Sequence, residues 1–192
     1  MARTRDLDGQ RARLSAATWS VLAEQGLQGL TVRAVAARAG CSTGLVMHAF
    51  PDKRALLKHA RTLLHERTAA HADAVTGTPD EVLRGVLLRA ASLTADKREE
   101  ARVWAGFLAA ALADEDLAEL HRGYNRAFVA RIQGLLAAAR PGWDRPALAR
   151  HAKSLIGLVA GLNALAAVDP RGYPPAVQRR TVEAALAALP DQ

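Results

Sequence analysis

The sequence has few of the residues that build disulfides, metal sites and catalytic centres. It contains one cysteine, Cys41, so it cannot form an intrachain disulfide and is expected to fold in a reducing compartment. No two of its six histidines have the spacing of metal ligands on a helix. It also lacks a phosphate-binding glycine-rich loop and a nucleophile elbow. We therefore expect no metal, no cofactor and no enzymatic activity.

Long apolar runs are also scarce. The first residues contain no apolar stretch of the kind found in a secretory signal. The most apolar stretch, Leu155–Val168, is shorter than the roughly 20 residues that a membrane span needs. These two absences predict a soluble, cytoplasmic protein.

The composition favours helices over strands. Half of the 192 residues are hydrophobic, alanine and leucine are abundant, and only 4% are aromatic. A β-sandwich would need more β-branched and aromatic residues, whereas small and aliphatic side chains suit packed helices. Capping residues and helix-breaking turns divide the chain into about nine amphipathic segments. We predict an all-α fold.

Positive charge is concentrated at one end of the chain. The net charge is +7. Residues 1–60 carry nine Lys or Arg against four Asp or Glu, and the rest of the chain carries seventeen against fifteen. A small basic segment on a nearly neutral body is typical of a nucleic-acid-binding headpiece. Solvated arginines in a basic protein are the alternative explanation.

The segment Leu30–Leu57 has the pattern of a helix-turn-helix. Two short helices flank a tight turn at Gly40, where a left-handed backbone is expected. The second helix starts with small residues, as a recognition helix must if its first turn is to approach DNA closely. The predicted DNA-binding residues are Arg33, Ser42, Thr43, Gly44, Leu45, His48 and Lys53. An ordinary helical hairpin inside a core is the alternative.

The full pattern of this segment resembles the TetR family of regulators. The matching residues are Ala16-Ala17, Gly26, Leu30-Thr31-Val32, Val35-Ala36, Ala39-Gly40-Cys41-Ser42, Gly44, Phe50, Lys53 and Leu56-Leu57. The resemblance covers about the first 60 residues without a gap. It implies an all-helical homodimer whose DNA-binding domain, residues 1–51, places its third helix in the major groove. It also implies that Lys53 contacts a phosphate.

Two positions depart from the family pattern. Met47 replaces the usual tyrosine, and Ala49 replaces tyrosine or histidine. Neither side chain can donate the hydrogen bond to the DNA backbone that those residues commonly make. We therefore expect weaker operator binding than is usual in the family.

The rest of the chain, residues 52–192, resembles the BetI-like C-terminal domain of the same family. The resemblance is carried by the runs VWAGFLAAALADEDLAELHRGYNRAF and GLVAGLNALAAVDP. It implies an α-helical domain for ligand binding and dimerisation, without identifying the ligand.

Two sets of residues are candidates for these roles. The first set combines aromatic and polar side chains of two neighbouring predicted helices, as an apolar ligand pocket would, although such residues also occur in cores and on surfaces: Trp104, Phe107, His121, Tyr124, Asn125 and Phe128. The second set lies on the almost wholly apolar helix 146–168 and on the last helix, which predict an intersubunit four-helix bundle: Leu155, Leu158, Val159, Leu162, Leu165, Thr181 and Ala185.

Together these patterns and the resemblance favour a repressor, with an activator, or a regulator that senses no ligand, as alternatives within the same class. Its partners would be a double-stranded, pseudo-palindromic DNA operator, an unknown small-molecule effector that releases it, and a second copy of the chain. A small helical ligand-binding protein or enzyme, with a hairpin that does not bind DNA, is the alternative from another class.

Overall fold

A computed structural model describes residues 2–190 of the chain and the side chains from Gly9 to Pro190. Within this range the fold consists of nine α-helices and no strand, which confirms the all-α prediction. The helices are α1 (Ala2–Gly29), α2 (Val32–Ala39), α3 (Thr43–Ala49), α4 (Lys53–Asp73), α5 (Pro79–Ala90), α6 (Ala95–Ala111), α7 (Glu115–Ala139), α8 (Arg145–Val168) and α9 (Pro175–Ala187).

Several helices begin where a side chain satisfies the free backbone N–H groups of their first turn. Thr31 Oγ1 accepts a hydrogen bond from Ala34 N at 3.1 Å, and Asp52 Oδ1 accepts one from Ala55 N at 2.7 Å. At α5, Thr78 and Glu81 form a reciprocal capping box. These local signals explain why the helix starts could be predicted from the sequence.

The helix α1 is interrupted at Gly26, one of the residues that match the family pattern. Gly26 has a φ of 66° and a ψ of −168°, outside the helical region. A residue with a Cβ would be strained at this positive φ, so glycine allows the chain to turn here. Leu30, just beyond the kink, is fully buried.

The described chain forms two compact units. The first contains the residues up to His65 together with Arg102–His121, and the second contains Glu66–Ala101 together with the residues from Arg122 onward. Helices α4, α6 and α7 each contribute residues to both units. These compact units are defined by packing and say nothing about function. The boundary between a DNA-binding domain, residues 1–51, and a ligand-binding and dimerisation domain, residues 52–192, therefore stays a prediction.

The core of the first unit joins the three N-terminal helices to later segments. Leu22, Val35, Val46 and Leu56 are buried there, as the apolar pattern of helices α1–α4 predicts. Val103 and Phe107 of α6 and Leu117 of α7 belong to the same core. The headpiece is therefore completed by residues that lie 54 to 68 positions beyond Ala49, the end of α3.

In the second unit, α8 presents one buried stripe to the core. The stripe consists of Ala152, Leu155, Val159, Leu162 and Ala166. At 24 residues, α8 is long and apolar enough to cross a membrane by length and composition, a test that the core helix of a soluble protein also passes. Residues 155–168 by themselves are too few to span a membrane, as the sequence indicates. This reasoning does not apply to the whole of α8, which is longer.

A buried polar network explains the one amide in the apolar part of α8. Asn163 Nδ2 donates to Ala90 O at 2.8 Å, and Asn163 Oδ1 accepts from Ser92 N at 2.7 Å. Ser92 Oγ in turn donates to Oε1 of the buried Gln178 at 3.0 Å. These bonds satisfy the backbone at the end of α5, so Asn163 stabilises the fold of the second unit.

Candidate DNA-binding surface and ligand cleft

The turn between α2 and α3 has the geometry of a helix-turn-helix. Gly40 adopts the left-handed conformation, with φ 62° and ψ 42°. Its N–H donates to Ala37 O at 3.3 Å, and Cys41 N donates to Ala36 O at 3.0 Å. These bonds close α2, and Ser42 then caps α3 by accepting from Leu45 N at 3.3 Å.

Helix α3 has a buried inner face and an exposed outer face. Val46 is fully buried in the first core, and Leu45 is half-buried. Thr43, Gly44 and His48 are exposed, and so is Met47 at 54%. Of the remaining predicted DNA-binding residues, Arg33 and Ser42 are exposed and Lys53 is half-buried. The outer face is therefore open to contact another molecule.

Packing inside the protein does not exclude a side chain at Gly44. A Cβ at this position would meet no atom closer than Ser42 Oγ at 3.8 Å, which is ordinary van der Waals contact. Its φ is not in the left-handed region, unlike those of Gly26 and Gly40. Neither packing nor backbone conformation in the described part of the chain therefore requires glycine at position 44.

The two arginines of α2, Arg33 and Arg38, differ in whether an acidic side chain of the protein binds them. Arg38 donates to Glu24 Oε1 at 2.8 Å and also contacts Glu24 Oε2 and Ser20, which ties α2 to α1. The hydrogen bonds from Arg38 and Ser20 lower the pKa of Glu24 to about 2. Arg33 forms no ion pair with any residue in the described range, so its charge is free for an external phosphate.

The first turns of α4 likewise contain cations that are bound by acidic side chains and one cation that is not. Arg54 Nη2 lies 2.7 Å from Asp114 Oδ1 and 3.3 Å from Asp116 Oδ2, and Lys58 Nζ lies 3.5 Å from Asp116 Oδ2. The hydrogen bond from Arg54 lowers the pKa of Asp114. Lys53 has no ion-pair partner between residues 9 and 190. Acidic side chains thus neutralise Arg54 and Lys58, whereas Lys53 has no ion-pair partner among the described residues.

Three of the six predicted ligand residues lie in the first unit. Phe107 is fully buried in its core, and Trp104 packs against that core. The ring of His121 lies 6.4 Å from that of Phe107, and burial together with the charge of Arg61 lowers the pKa of His121. Because Phe107 exposes no surface, we revise its assignment from ligand contact to core residue.

The other three lie in the second unit, where Asn125 is exposed and Tyr124 is half-buried. Phe128 packs against the core of this unit and lines a small surface cleft. The lining residues are Thr68, His71, Ala72, Val86, Arg89, Ala90, Lys97 and Phe128. Only Phe128 among them was predicted, because the others come from three different helices, α4, α5 and α6, with no shared sequence pattern.

A buried ion pair stands at one end of this cleft. Lys97 Nζ lies 2.8 Å from Glu100 Oε2 and 2.5 Å from His71 Nδ1. The Lys97 and Glu100 side chains are only 11% and 10% exposed. Arg89 is an exposed residue, and its Nη1 donates to the backbone oxygen of His71 at 3.1 Å. The cleft therefore combines basic groups with an apolar wall.

The predicted dimer residues divide into two groups. Leu155, Val159 and Leu162 are 4–6% exposed and face the core of their own unit. We therefore revise their assignment from dimer contacts to core residues. Leu165 is 47% exposed, and Leu158, Thr181 and Ala185 are half-buried. In the second half of α8, the exposed positions form one stripe: Gly157, Gly161, Ala164, Leu165 and Val168.

Two family models match the chain. Residues 14–60 match the model described as bacterial regulatory proteins, tetR family, and residues 79–191 match that of the C-terminal domain of BetI-type transcriptional repressors. The HTH-type transcriptional regulator BetI of Burkholderia thailandensis is 34% identical over 158 residues, which cover 80% of this chain and 79% of that protein. A second similar protein is the HTH-type transcriptional regulator PksA of Bacillus subtilis, 29% identical over 58% of this chain and 56% of that protein.

Solved structures share the fold. A transcriptional regulator from Rhodococcus sp. Rha1 has a TM-score of 0.84 and 30% identity, covering 92% of this chain and 93% of that one. A TetR transcription regulator from Haloarcula marismortui has a TM-score of 0.82 at 19% identity, covering 95% of this chain and 98% of that one. The nine-helix arrangement is thus an architecture that diverged sequences also adopt.

Proposed function

Since the chain belongs to the TetR family of transcriptional regulators, we propose that it is a repressor that a small molecule releases from a pseudo-palindromic operator. Regulators of this family bind DNA operators and small-molecule ligands, typically as dimers. The relatives are regulators and not enzymes, which decides against the enzyme alternative. Its working compartment would be the cytoplasm, where the DNA is.

The observation that carries this proposal is the outer face of α3. This face combines the exposed, small Thr43 and Gly44 with the exposed His48. Arg33 and Lys53, which form no ion pair with any residue between Gly9 and Pro190, lie on the flanking helices. Small residues at the start of a recognition helix let its backbone approach the bases, while flanking cations neutralise phosphates. Thr43 and His48 offer few base-specific donors, so part of the sequence preference would come from DNA shape.

The proposed dimer uses the exposed stripe of α8. Gly157, Gly161 and Ala164 have little or no side chain, which allows close approach of a second helix, and Leu165 and Val168 supply apolar area. Thr181 and Ala185 of α9 extend the surface. A two-fold dimer would present two α3 helices to successive major grooves, roughly 34 Å apart or slightly more.

In the proposed mechanism, α4 carries the ligand signal. Its C-terminal half supplies Thr68, His71 and Ala72 to the cleft, and its first turns hold Lys53 and the Arg54–Asp114 ion pair. A ligand that changes the position of α4 in the cleft would change the position of Lys53. By linkage, it would weaken DNA binding by the factor by which DNA weakens ligand binding.

Selection of bound fragments from a random DNA pool by the purified full-length protein tests the proposal. The mass of the free protein and of its complexes is measured in parallel by light scattering. We expect a roughly palindromic sequence bound by a dimer. If no sequence is enriched even at low salt, the assignment as an operator-binding repressor is wrong for this chain.

A further inference from the structure

Met47 is a long apolar side chain on the outer face of α3 that the fold leaves uncovered. It is 54% exposed, and it belongs neither to the core of the first unit nor to the partly buried residues that pack against this core. Its neighbour Val46, by contrast, is fully buried. Packing within the described part of the chain therefore does not require a long apolar side chain at position 47.

Met47 lies one turn beyond the small residues at the start of α3. Residues three and four apart share a face of a helix, so Met47 is on the same side as Gly44 and Thr43, both of which are exposed. Helical side chains tilt toward the N-terminus and cover the preceding turn. A DNA surface that approaches the first turn of α3 therefore also meets Met47.

The helix α3 is poor in side chains that read bases by hydrogen bonding. The segment Thr43–Ala49 contains no Lys, Arg, Asp, Glu, Asn or Gln. Those side chains make the common hydrogen-bonded contacts with the edges of guanine, adenine and cytosine. The thioether of Met47 has no N–H or O–H donor. The base-specific contact open to Met47 is therefore an apolar one, with the 5-methyl group that thymine presents in the major groove.

A methionine side chain is well suited to such a contact. It is unbranched and flexible, so it can adapt to the shape of an apolar group. In the free protein the exposed part of Met47 is in contact with water, and packing against a methyl group would remove apolar surface of both partners from water. The contact would favour thymine over cytosine at one base pair without any hydrogen bond.

The charges near α3 in the chain favour DNA as the molecule that covers Met47. Arg33 of α2 and Lys53 of α4 form no ion pair with any side chain that the structure describes. Such cations attract a phosphate backbone. Leu112, an even more exposed apolar residue of the first unit, follows α6 and is not part of this helix-turn-helix. Exposure alone thus does not distinguish Met47, whereas its place on α3 does.

We propose that Met47 is a specificity-determining residue whose side chain packs against the 5-methyl group of one thymine in each half-site of the operator. This inference rests on the proposed operator binding. It gives Met47 a role in reading the base sequence, in place of the backbone contact that a tyrosine commonly makes at the matching position in the family.

The test replaces single thymines of the selected operator by deoxyuridine, which lacks only the 5-methyl group. Fluorescence anisotropy gives the affinity of the wild type and of Met47→Ala for each operator. For one thymine in each half-site, we expect the wild type to lose about fourfold in affinity per methyl group, the factor that corresponds to exposing one methyl-sized group to water. Met47→Ala should bind the thymine and deoxyuridine operators equally well.

Further variants separate this contact from a structural role. Met47→Leu keeps an apolar side chain and should retain part of the preference for thymine, whereas Met47→Gln has a similar length and should lose it. Met, Ala, Leu and Gln have similar helix propensities, so the urea midpoint should change little. Leu112→Ala, at an exposed apolar residue outside α3, is the matched control and should keep the wild-type preference.

Two results would overturn the inference while operator binding itself stands. The first is that no change from thymine to deoxyuridine weakens binding of the wild type more than binding of Met47→Ala. The second is that the preference for the methyl group persists in Met47→Ala but disappears in Thr43→Ser, because Thr43 would then be the residue that contacts thymine. If no operator is selected at all, the repressor proposal and this inference both fail.

Discussion

Ser42, Thr43 and Gly44, at the start of the proposed DNA-reading helix α3, are small, and Gly44 has no Cβ at all. At the scale of single residues, the structure distinguishes side chains that the fold requires from those that it leaves free. Gly40 is required by a left-handed backbone, whereas Gly44 has room for a methyl group. Among the cations, Arg38 and Arg54 are paired with acidic side chains, whereas Arg33 and Lys53 have no ion-pair partner among the side chains that the structure describes.

The substitution Gly44→Ala should separate stability from DNA binding. Alanine favours the helix by roughly 0.5–1 kcal/mol relative to glycine, so the free energy of unfolding should rise. Operator affinity should fall about tenfold or more, because the added methyl group holds the helix away from the DNA. Urea unfolding and fluorescence anisotropy measure the two effects.

Gly134→Ala is the matched control for this prediction. Gly134 lies on an exposed position of α7, and a Cβ there would meet nothing within 4 Å. It should give a similar gain in stability with unchanged operator affinity. If Gly44→Ala keeps full affinity, the first turn of α3 does not approach the DNA closely.

Lys53→Ala should weaken operator binding through a lost phosphate contact. The slope of log affinity against log salt should decrease by roughly one, and the loss should be similar for all DNA sequences. The measurement is operator affinity at several salt concentrations. Arg171→Ala, at an exposed residue of the turn between α8 and α9, should leave the slope unchanged. A slope equal to that of the wild type would show that Lys53 contacts no phosphate.

At the scale of helices, the ion pair of Glu24 and Arg38 fixes α2 against α1. The lowered pKa of Glu24, about 2 against an ordinary 4.5, means that folding favours the carboxylate form. This contribution to stability is fully present above pH 4.5 and is lost as the pH falls from 4.5 to about 2. The pair therefore stabilises the headpiece at neutral pH and ceases to do so in acid.

Arg38→Gln should consequently destabilise the protein in a pH-dependent way. At pH 7 its urea midpoint should lie below that of the wild type, and the two midpoints should approach each other as the pH falls below about 4.5. Arg33→Gln is the control, because Arg33 has no ion-pair partner in the described part of the chain. A difference between Arg38→Gln and the wild type that stays constant down to pH 3 would contradict this account.

At the scale of the whole molecule, the proposed function requires two copies of the chain. Leu165→Asp places a charge on the exposed stripe of α8 and should shift the protein toward monomers, since burying an unpaired carboxylate is costly. Operator binding should weaken with it, because a monomer reads only one half-site. Light scattering gives the mass, and anisotropy gives the affinity.

The same substitution at Leu112 controls for a general effect of the new charge. Leu112 is 91% exposed, follows α6 and lies outside the proposed dimer surface. Leu112→Asp should leave both mass and affinity unchanged. A fully dimeric Leu165→Asp protein would place the dimer interface elsewhere.

The sequence by itself determined the features that depend on neighbours along the chain. Thr31, Ser42 and Thr78 cap helices because a capping hydroxyl reaches backbone N–H groups only two or three residues away. Gly40 marks its turn because few other residues adopt a positive φ. The outer face of α3 followed from these local signals, and the pattern around them indicated the family.

Tertiary structure decided which partner covers each face. Helical periodicity places Leu155, Val159 and Leu162 on one side of α8, but only packing shows that this side faces its own unit. The sequence pattern around Phe107 fitted a ligand pocket and a core equally well, and the structure shows that Phe107 lies in the core of the first unit. Lys97 and His71 are 26 residues apart, so no local pattern relates them. The physical reason is that hydrophobic burial and ion pairing depend on which surfaces meet, and contacts between distant segments leave no spacing in the sequence.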